Sequence, residues 1–252
     1  MSDWAQEYFE RGYTQRWGVP PITDQTRREV DGVSKHLNLA PSSRIVDIGC
    51  GFGRHAVALA QGGSKIIGVD SAVSLLIEAR HLAAKLGAQV QWVRGDMRRL
   101  PLRSEYFDAA ILRDAFGFFE AEEDNEAVLT DVERILVPHG RVCLKVVNGG
   151  LILTKFRPTD CEEREGTVVT ISRTLVLEPP RMREKITVNG SRGTGEYERR
   201  QRLYRPEEIY NMVERAGFSI VGVFANADGT PFQPAVSTAM WLIGELKNDR
   251  RS

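Results

Sequence analysis

Arg44-Ile45-Val46-Asp47-Ile48-Gly49-Cys50-Gly51-Phe52-Gly53 is the stretch whose reading decides the fold. Ile45, Val46 and Ile48 form the β-branched run of a buried parallel strand. Gly49, Gly51 and Gly53 then let the backbone turn with positive φ and come close to a ligand. Residues 54–60 follow as a helix whose N-terminus points at that ligand. A second strand over 65–69 ends in Asp70, a carboxylate able to accept from both hydroxyls of a ribose. Strand, glycine turn, helix and terminal acid together describe a nucleoside-binding βαβ unit.

The spacing G-x-G-x-G behind Asp47 departs from the dinucleotide pattern G-x-G-x-x-G, because Arg54 stands where the third glycine of that pattern falls. The run Asp47-Ile48-Gly49-Cys50-Gly51-Phe52-Gly53 resembles motif I of the class I S-adenosylmethionine (SAM)-dependent methyltransferases, whose acid and glycines surround the methionine part of the cofactor. The resemblance continues to Asn148. It takes in an amphipathic helix from Val73 closed by Gly87, strand 89–93 with Arg94-Gly95-Asp96-Met97 at its end, strand 109–112, helix 122–136 and strand 141–147.

The fold implied is a Rossmann-like, doubly wound α/β sheet of seven strands with an antiparallel last strand. Strands 219–224 and 236–244 complete it after a helix that starts at Pro206. The cofactor set implied is Asp47, Gly49, Cys50, Gly51, Gly53, Asp70, Ser71, Gly95, Asp96, Met97 and Arg113, with Tyr13 and Trp17 from the amino-terminal segment. Asp96 can accept from an adenine amine or cap the turn that follows it.

The fourth strand runs into Arg113-Asp114-Ala115-Phe116-Gly117-Phe118-Phe119, where the resemblance places the substrate chemistry. Asp114 is the one catalytic candidate, able to orient an amine or accept a proton from a hydroxyl. Arg113 can present its backbone to adenine or bind a substrate carboxylate. Equally, the two can pair with each other or cap the loop. No histidine is obviously placed as a base, and His55 reads as a helix-face residue beside the glycine turn. Tyr8, Phe116, Phe118, Asn148 and Tyr204 make up the substrate set.

Residues 3–17 carry Trp4, Tyr8, Phe9, Tyr13 and Trp17, several of which share one helical face. They read either as a helix packed on the core or, within a helical lid over 1–40, as a cover for cofactor and substrate whose aromatic faces suit a sulfonium cation. Thr23 caps a helix that reaches Leu37. Residues 149–203 change to β-rich runs, at 167–177, 181–188 and 193–202, expected as antiparallel hairpins over the acceptor site. The methyltransferase core then comprises 1–148 and 204–247, with 149–203 as an insert. Arg181, Arg183, Lys185, Arg192, Arg199, Arg200 and Arg202 alternate with Glu178, Glu184, Glu196 and Glu198, which reads as a solvated sheet face.

Thirty-four basic residues balance thirty-four acidic ones, so the chain lacks the positive field that sequence-independent nucleic-acid binding requires. The four histidines and three cysteines show no metal-ligand spacing, so no metal and free thiols are expected. Neither a leader at the start nor a span-length apolar run is legible, which points to a cytoplasmic protein, monomer or homodimer.

The expected activity is methyl transfer from SAM, leaving S-adenosylhomocysteine, to a nitrogen or oxygen of a small metabolite. An RNA or peptide methyltransferase, an NAD-dependent enzyme and a non-catalytic partner-binding protein of the same fold are the alternatives.

Overall fold

The computed structural model describes residues 3–248. An amino-terminal strap comes first, formed by α1 (Asp3–Glu7), a π-helical turn (Tyr8–Gly12) and α2 (Tyr13–Trp17). Next come α3 (Asp24–His36), β1 (Arg44–Ile48), α4 (Arg54–Gln61), β2 (Lys65–Asp70), α5 (Val73–Lys85), β3 (Val90–Arg94), β4 (Phe107–Arg113), α6 (Glu122–Ile135) and β5 (Leu136–Val147). After α7 (Gly149–Thr154) the chain forms β6 (Thr159–Arg164), β7 (Thr167–Leu177), β8 (Pro180–Gly190) and β9 (Gly193–Arg202). It closes with α8 (Pro206–Arg215), β10 (Phe218–Phe224) and β11 (Ala239–Leu246).

The main sheet has the order β10-β11-β5-β4-β1-β2-β3. Only β11 runs against its neighbours, β5 and β10. Period-2 alternation on β1 decides which face each side chain enters. Ile45 packs with Val30 and Val33 of α3 and Leu59 of α4, whereas Val46 and Ile48 pack with Val128 and Leu129 of α6 and Ile209 of α8. Both faces are therefore covered by helices, and each aliphatic side chain buried there contributes about 1.5–3 kcal/mol. The capping expectation at Thr23 holds: its Oγ1 accepts from the Thr26 backbone N–H at 3.2 Å.

β1 pairs in parallel with β2 on one side and β4 on the other. The chain leaves β1 in one direction and returns on its far side. The carboxyl end of β1 therefore opens into the crevice at which such sheets bind ligands.

The second sheet is antiparallel, in the order β6-β7-β8-β9. Val169, Ile171, Ile186, Val188 and Tyr197 form its buried face, and Tyr8 of the strap packs into that face. Phe9 and Tyr13, from the same segment, pack against that face and also against Phe52, Ala72 and Leu75 of the main sheet's ligand edge. The strap thus lies between a floor, the edge of the main sheet, and a roof, the second sheet. A Cβ at Gly12 would stand 2.6 Å from the Tyr197 ring, so glycine lets the π-helical turn lie flat on the roof.

Two elements differ from the sequence reading. β6 carries Thr159, Asp160, Cys161 and Glu163 exposed, with no apolar period to reveal it. Val236 and Ser237 belong to a turn closed by bonds to the Gln233 carbonyl, which delays the last strand to Ala239.

Candidate active site

A cavity of about 300 Å³ lies between floor, strap and roof. Its floor includes Asp47, Gly49, Cys50, Gly51, Arg54, His55, Asp70, Ser71, Met97, Arg113 and Asp114. Tyr8, Phe9, Tyr13 and Trp17 reach it from the strap, Phe118 and Phe119 from the loop after β4, and Met182, Arg199 and Gln201 from the roof.

The glycine turn explains the floor. Gly51 has φ +54° and a Cβ there would meet nothing within 4 Å, so its open side is space beside the cavity. Gly53 has φ +71° and faces inward, where a Cβ would come within 2.3 Å of the Trp92 ring. One glycine therefore leaves room for a ligand and the other lets α4 start close to the sheet. The Asp70 carboxylate fixes the turn, with Oδ2 accepting from Gly51 N at 2.8 Å and Oδ1 from Ala72 N at 2.9 Å. Burial pushes the Asp70 carboxyl up, while these N–H groups pull it down.

Asp47 is 4% exposed and pairs with no cation among the described residues. Burial, with Asp70 nearby, pushes its carboxyl up to about 7 against the opposing pull of Arg113. Arg54 likewise makes no side-chain hydrogen bond or ion pair among the described residues, and burial beside Arg113 lowers its pKa. An unpaired carboxylate and an unpaired guanidinium at one glycine turn match the ammonium and carboxylate ends of an amino acid. The donor set therefore fits the methionine part of SAM.

Beside them, Lys145 Nζ and Arg113 Nη1 converge on Asp114 Oδ2 at 2.8 and 2.9 Å, and Asp114 takes φ +57°. Of the two readings of Arg113-Asp114, mutual pairing is the one observed. His55 lies on the first turn of α4 beside the glycine turn, as read from the sequence, and is buried there with its ring lining the cavity. Its Nε2 meets Glu29 Oε2 at 2.9 Å. Burial lowers His55 to about 4, leaving a neutral imidazole at pH 7. Burial alone would raise Glu29, but the bond to His55 together with Arg113 and Lys145 lowers it to about 2.

The roof corrects the sequence reading most. Arg181 and Arg202 are each only 6% exposed and Arg199 lines the cavity, so these three leave the solvated face that Arg183 and Lys185 still occupy. Arg173, Glu184 and Arg199 stand directly opposite one another on β7, β8 and β9. Arg173 Nε donates to Glu184 Oε1 at 2.8 Å and Arg199 Nε to Oε2 at 2.5 Å. Burial would raise the Glu184 carboxyl, and the two guanidinia more than reverse that.

Three members of the substrate set lie elsewhere. Phe116 and Tyr204 are core side chains whose rings meet at 5.6 Å. Asn148 is buried, accepts from Leu151 N at 3.2 Å to start α7, and donates to the Pro234 and Ser237 carbonyls, both at 2.8 Å. Their polar or aromatic character serves packing and capping. Tyr8 and Phe118 do face the cavity.

Gly95 and Asp96 border two further hollows adjoining Ser71, of about 390 and 20 Å³. The Asp96 carboxylate is engaged by Arg98, with Nη2 to Oδ2 at 2.6 Å, which holds its pKa below the usual range. Arg54, Glu29, Arg199 and Gln201 were missed. The alternation Tyr197, Arg199, Gln201 on one strand face was the available signal for the last two.

Residues 45–140 match a family described as "Methyltransferase domain". The chain is 25% identical to a cypemycin N-terminal methyltransferase from a Streptomyces species over 209 residues, 79% of this chain and 82% of that protein. It is 36% identical to the demethylmenaquinone methyltransferase of Thermus thermophilus over 118 residues, 46% of this chain and half the length of that relative. In structure it is similar to a SAM-dependent methyltransferase from Clostridium acetobutylicum, with a TM-score of 0.79 at 14% identity, covering 89% of this chain and 93% of the other. None of the described helices is long and apolar enough to cross a membrane. A methyltransferase domain matched over residues 45–140, carried on this sheet order, makes the chain similar to the class I SAM-dependent methyltransferases.

Proposed function

We propose that the chain methylates a nitrogen or oxygen atom of a small-molecule acceptor held between floor and roof. The observation that carries this reading is Asp47, a buried carboxylate without a cationic partner at the edge of a closed cavity. Asp47 and Arg54 would hold the methionine ammonium and carboxylate of SAM, with Gly49, Cys50 and Gly51 as the backbone wall. Asp70 and Ser71 would hold the ribose, and Gly95, Asp96 and Met97 the adenine side. Gly53 acts through the start of α4.

Bound SAM supplies an electrophilic methyl group on a cationic sulfur. This chain's contribution is position and exclusion of water. Tyr13 and Trp17 present aromatic faces that favour a cation, and Phe118 and Tyr8 narrow the space above the turn. Arg113 holds Asp114, whose Oδ1 is left to accept from an acceptor amine or hydroxyl and orient its lone pair. An amine in its neutral form needs only this orientation, whereas a hydroxyl also needs somewhere for its proton to go.

Calorimetric titration with SAM, S-adenosylhomocysteine and NAD tests the reading, alongside an Asp70→Ala variant. Saturable binding of the first two, absent for NAD and lost in the variant, is expected. Failure of both adenosyl ligands to bind the unaltered protein would overturn it.

A further inference from the structure

We infer that the roof carries a carboxylate-binding subsite, Arg199 with Gln201, so that the acceptor is a small organic acid. This assignment rests on the methyl-transfer reading for the word acceptor, but not for the subsite itself. Arg199 and Gln201 lie two apart on β9 and both line the cavity. The Arg199 guanidinium is anchored at one end only: Nε is bonded to Glu184, while its two terminal nitrogens make no hydrogen bond among the described residues. Gln201 is 5% exposed and its amide makes no side-chain hydrogen bond among the described residues either.

The amide therefore offers the cavity a donor and an acceptor that no side chain has taken up. Glu184 does not take up the donor, because each of its oxygens already accepts from a guanidinium, Arg173 on one and Arg199 on the other. Two guanidinia on one carboxylate leave the triad with a net positive charge, and the exposed Asp160 offsets it only on the Arg173 side, at 3.3 Å. The surplus therefore faces the cavity from Arg199.

The two ends of the cavity have opposite needs. The floor presents the carboxylates of Asp47, Asp70 and Asp114, and the roof a planar fork of N–H donors beside an amide donor. A carboxylate can accept from both nitrogens of such a fork, with an oxygen lone pair left for the Gln201 amide. A neutral amide or ester loses half of that arrangement. An acid bound this way sends its reactive nitrogen or oxygen toward the glycine turn. Met182, Tyr8 and Phe118 line the space between and give its carbon frame apolar contact.

The test uses phenylacetate and its neutral counterpart phenylacetamide, titrated into the full chain with and without S-adenosylhomocysteine and followed by ligand-observed NMR or calorimetry. Phenylacetate is expected to bind at least tenfold tighter than the amide, with the preference shrinking as salt rises. Arg199→Gln should remove that preference while leaving S-adenosylhomocysteine affinity within about twofold. Because Arg199→Gln loosens an ion-paired row, Gln201→Leu serves as the second variant. It frees no buried charge and should weaken phenylacetate at least threefold. Equal affinity for acid and amide, or an acid preference that survives in both variants, overturns the subsite. Phenylacetate binding together with failure of S-adenosylhomocysteine to bind would support the subsite and count against the methyl-transfer reading alone.

Discussion

Floor and roof of the cavity use charge in opposite ways. The floor leaves the Asp47 carboxyl buried without a cationic partner and its pKa pushed up to about 7, so its full charge waits for a ligand to complete it. The roof places Glu184 between two guanidinia in a row across three strands, so most of its charge is satisfied before any ligand arrives. The difference separates a group held for binding from a group held for folding. Removing charge from the floor should stabilise the free protein, and removing it from the roof should do the reverse.

The sharpest way to break that contrast is Glu184→Ala. It leaves Arg199 without a carboxylate and Arg173 with only the exposed Asp160, and the expected loss is about 3 kcal/mol, the low end for a broken buried pair because both guanidinia keep some exposure. A urea midpoint unchanged from the parent chain would mean the roof charges are not structural.

A smaller effect separates two glycines of the floor itself. Gly53→Ala drives a methyl group into Trp92 at a left-handed position and should cost about 2–3 kcal/mol. Gly51→Ala, with open space around it, should cost only about 1 kcal/mol from φ and should lower SAM affinity more than stability. Thermal melts with and without SAM distinguish the two.

Asp47→Asn should move stability the other way. In the native protein this carboxyl keeps its proton up to about pH 7, whereas the unfolded chain releases it near 3.8, so the native state binds more protons between those values. Stability of the parent chain therefore falls as pH rises through that window. The gain from the Asn variant should be smallest near pH 4, grow by at most about 1.4 kcal/mol per pH unit toward pH 7 and level off above it. SAM affinity should drop in the same variant. The smallest effect belongs to the roof's rim, where Arg200 pairs with the exposed Glu198 and Glu120, and Arg200→Ala should change stability by less than about 1 kcal/mol.

The same contrast explains what could be read from the chain. Most of the floor comes from one run, Asp47 to Ser71, in which spacing along the sequence is spacing in the structure, and Met97, Arg113 and Asp114 join it from the ends of β3 and β4. The sheet order and the cavity positions of Asp47, Gly51, Asp70, Arg113 and Asp114 were accordingly legible. The roof is built from residues eleven and fifteen positions apart that meet only through strand register. Arg173, Glu184 and Arg199 each looked like ordinary surface charge until that register was known. Phe116, Asn148 and Tyr204 failed for a related reason. A residue near the end of a ligand-bearing strand can point into the core as easily as into the crevice, and an inserted sheet changes which way that is.

Glu10 of the strap gives α5 the cap its own sequence lacks. Its carboxylate accepts from Val73 N at 2.8 Å and Ser74 N at 3.0 Å, while Ala72 at the N-cap offers no side chain for the purpose. That first turn of α5 begins immediately after Asp70 and Ser71. Closing the strap and ordering the Asp70 loop therefore share one free energy, and linkage makes the benefit mutual: a ligand that steadies the loop favours the docked strap by the same equilibrium factor by which the docked strap tightens that ligand.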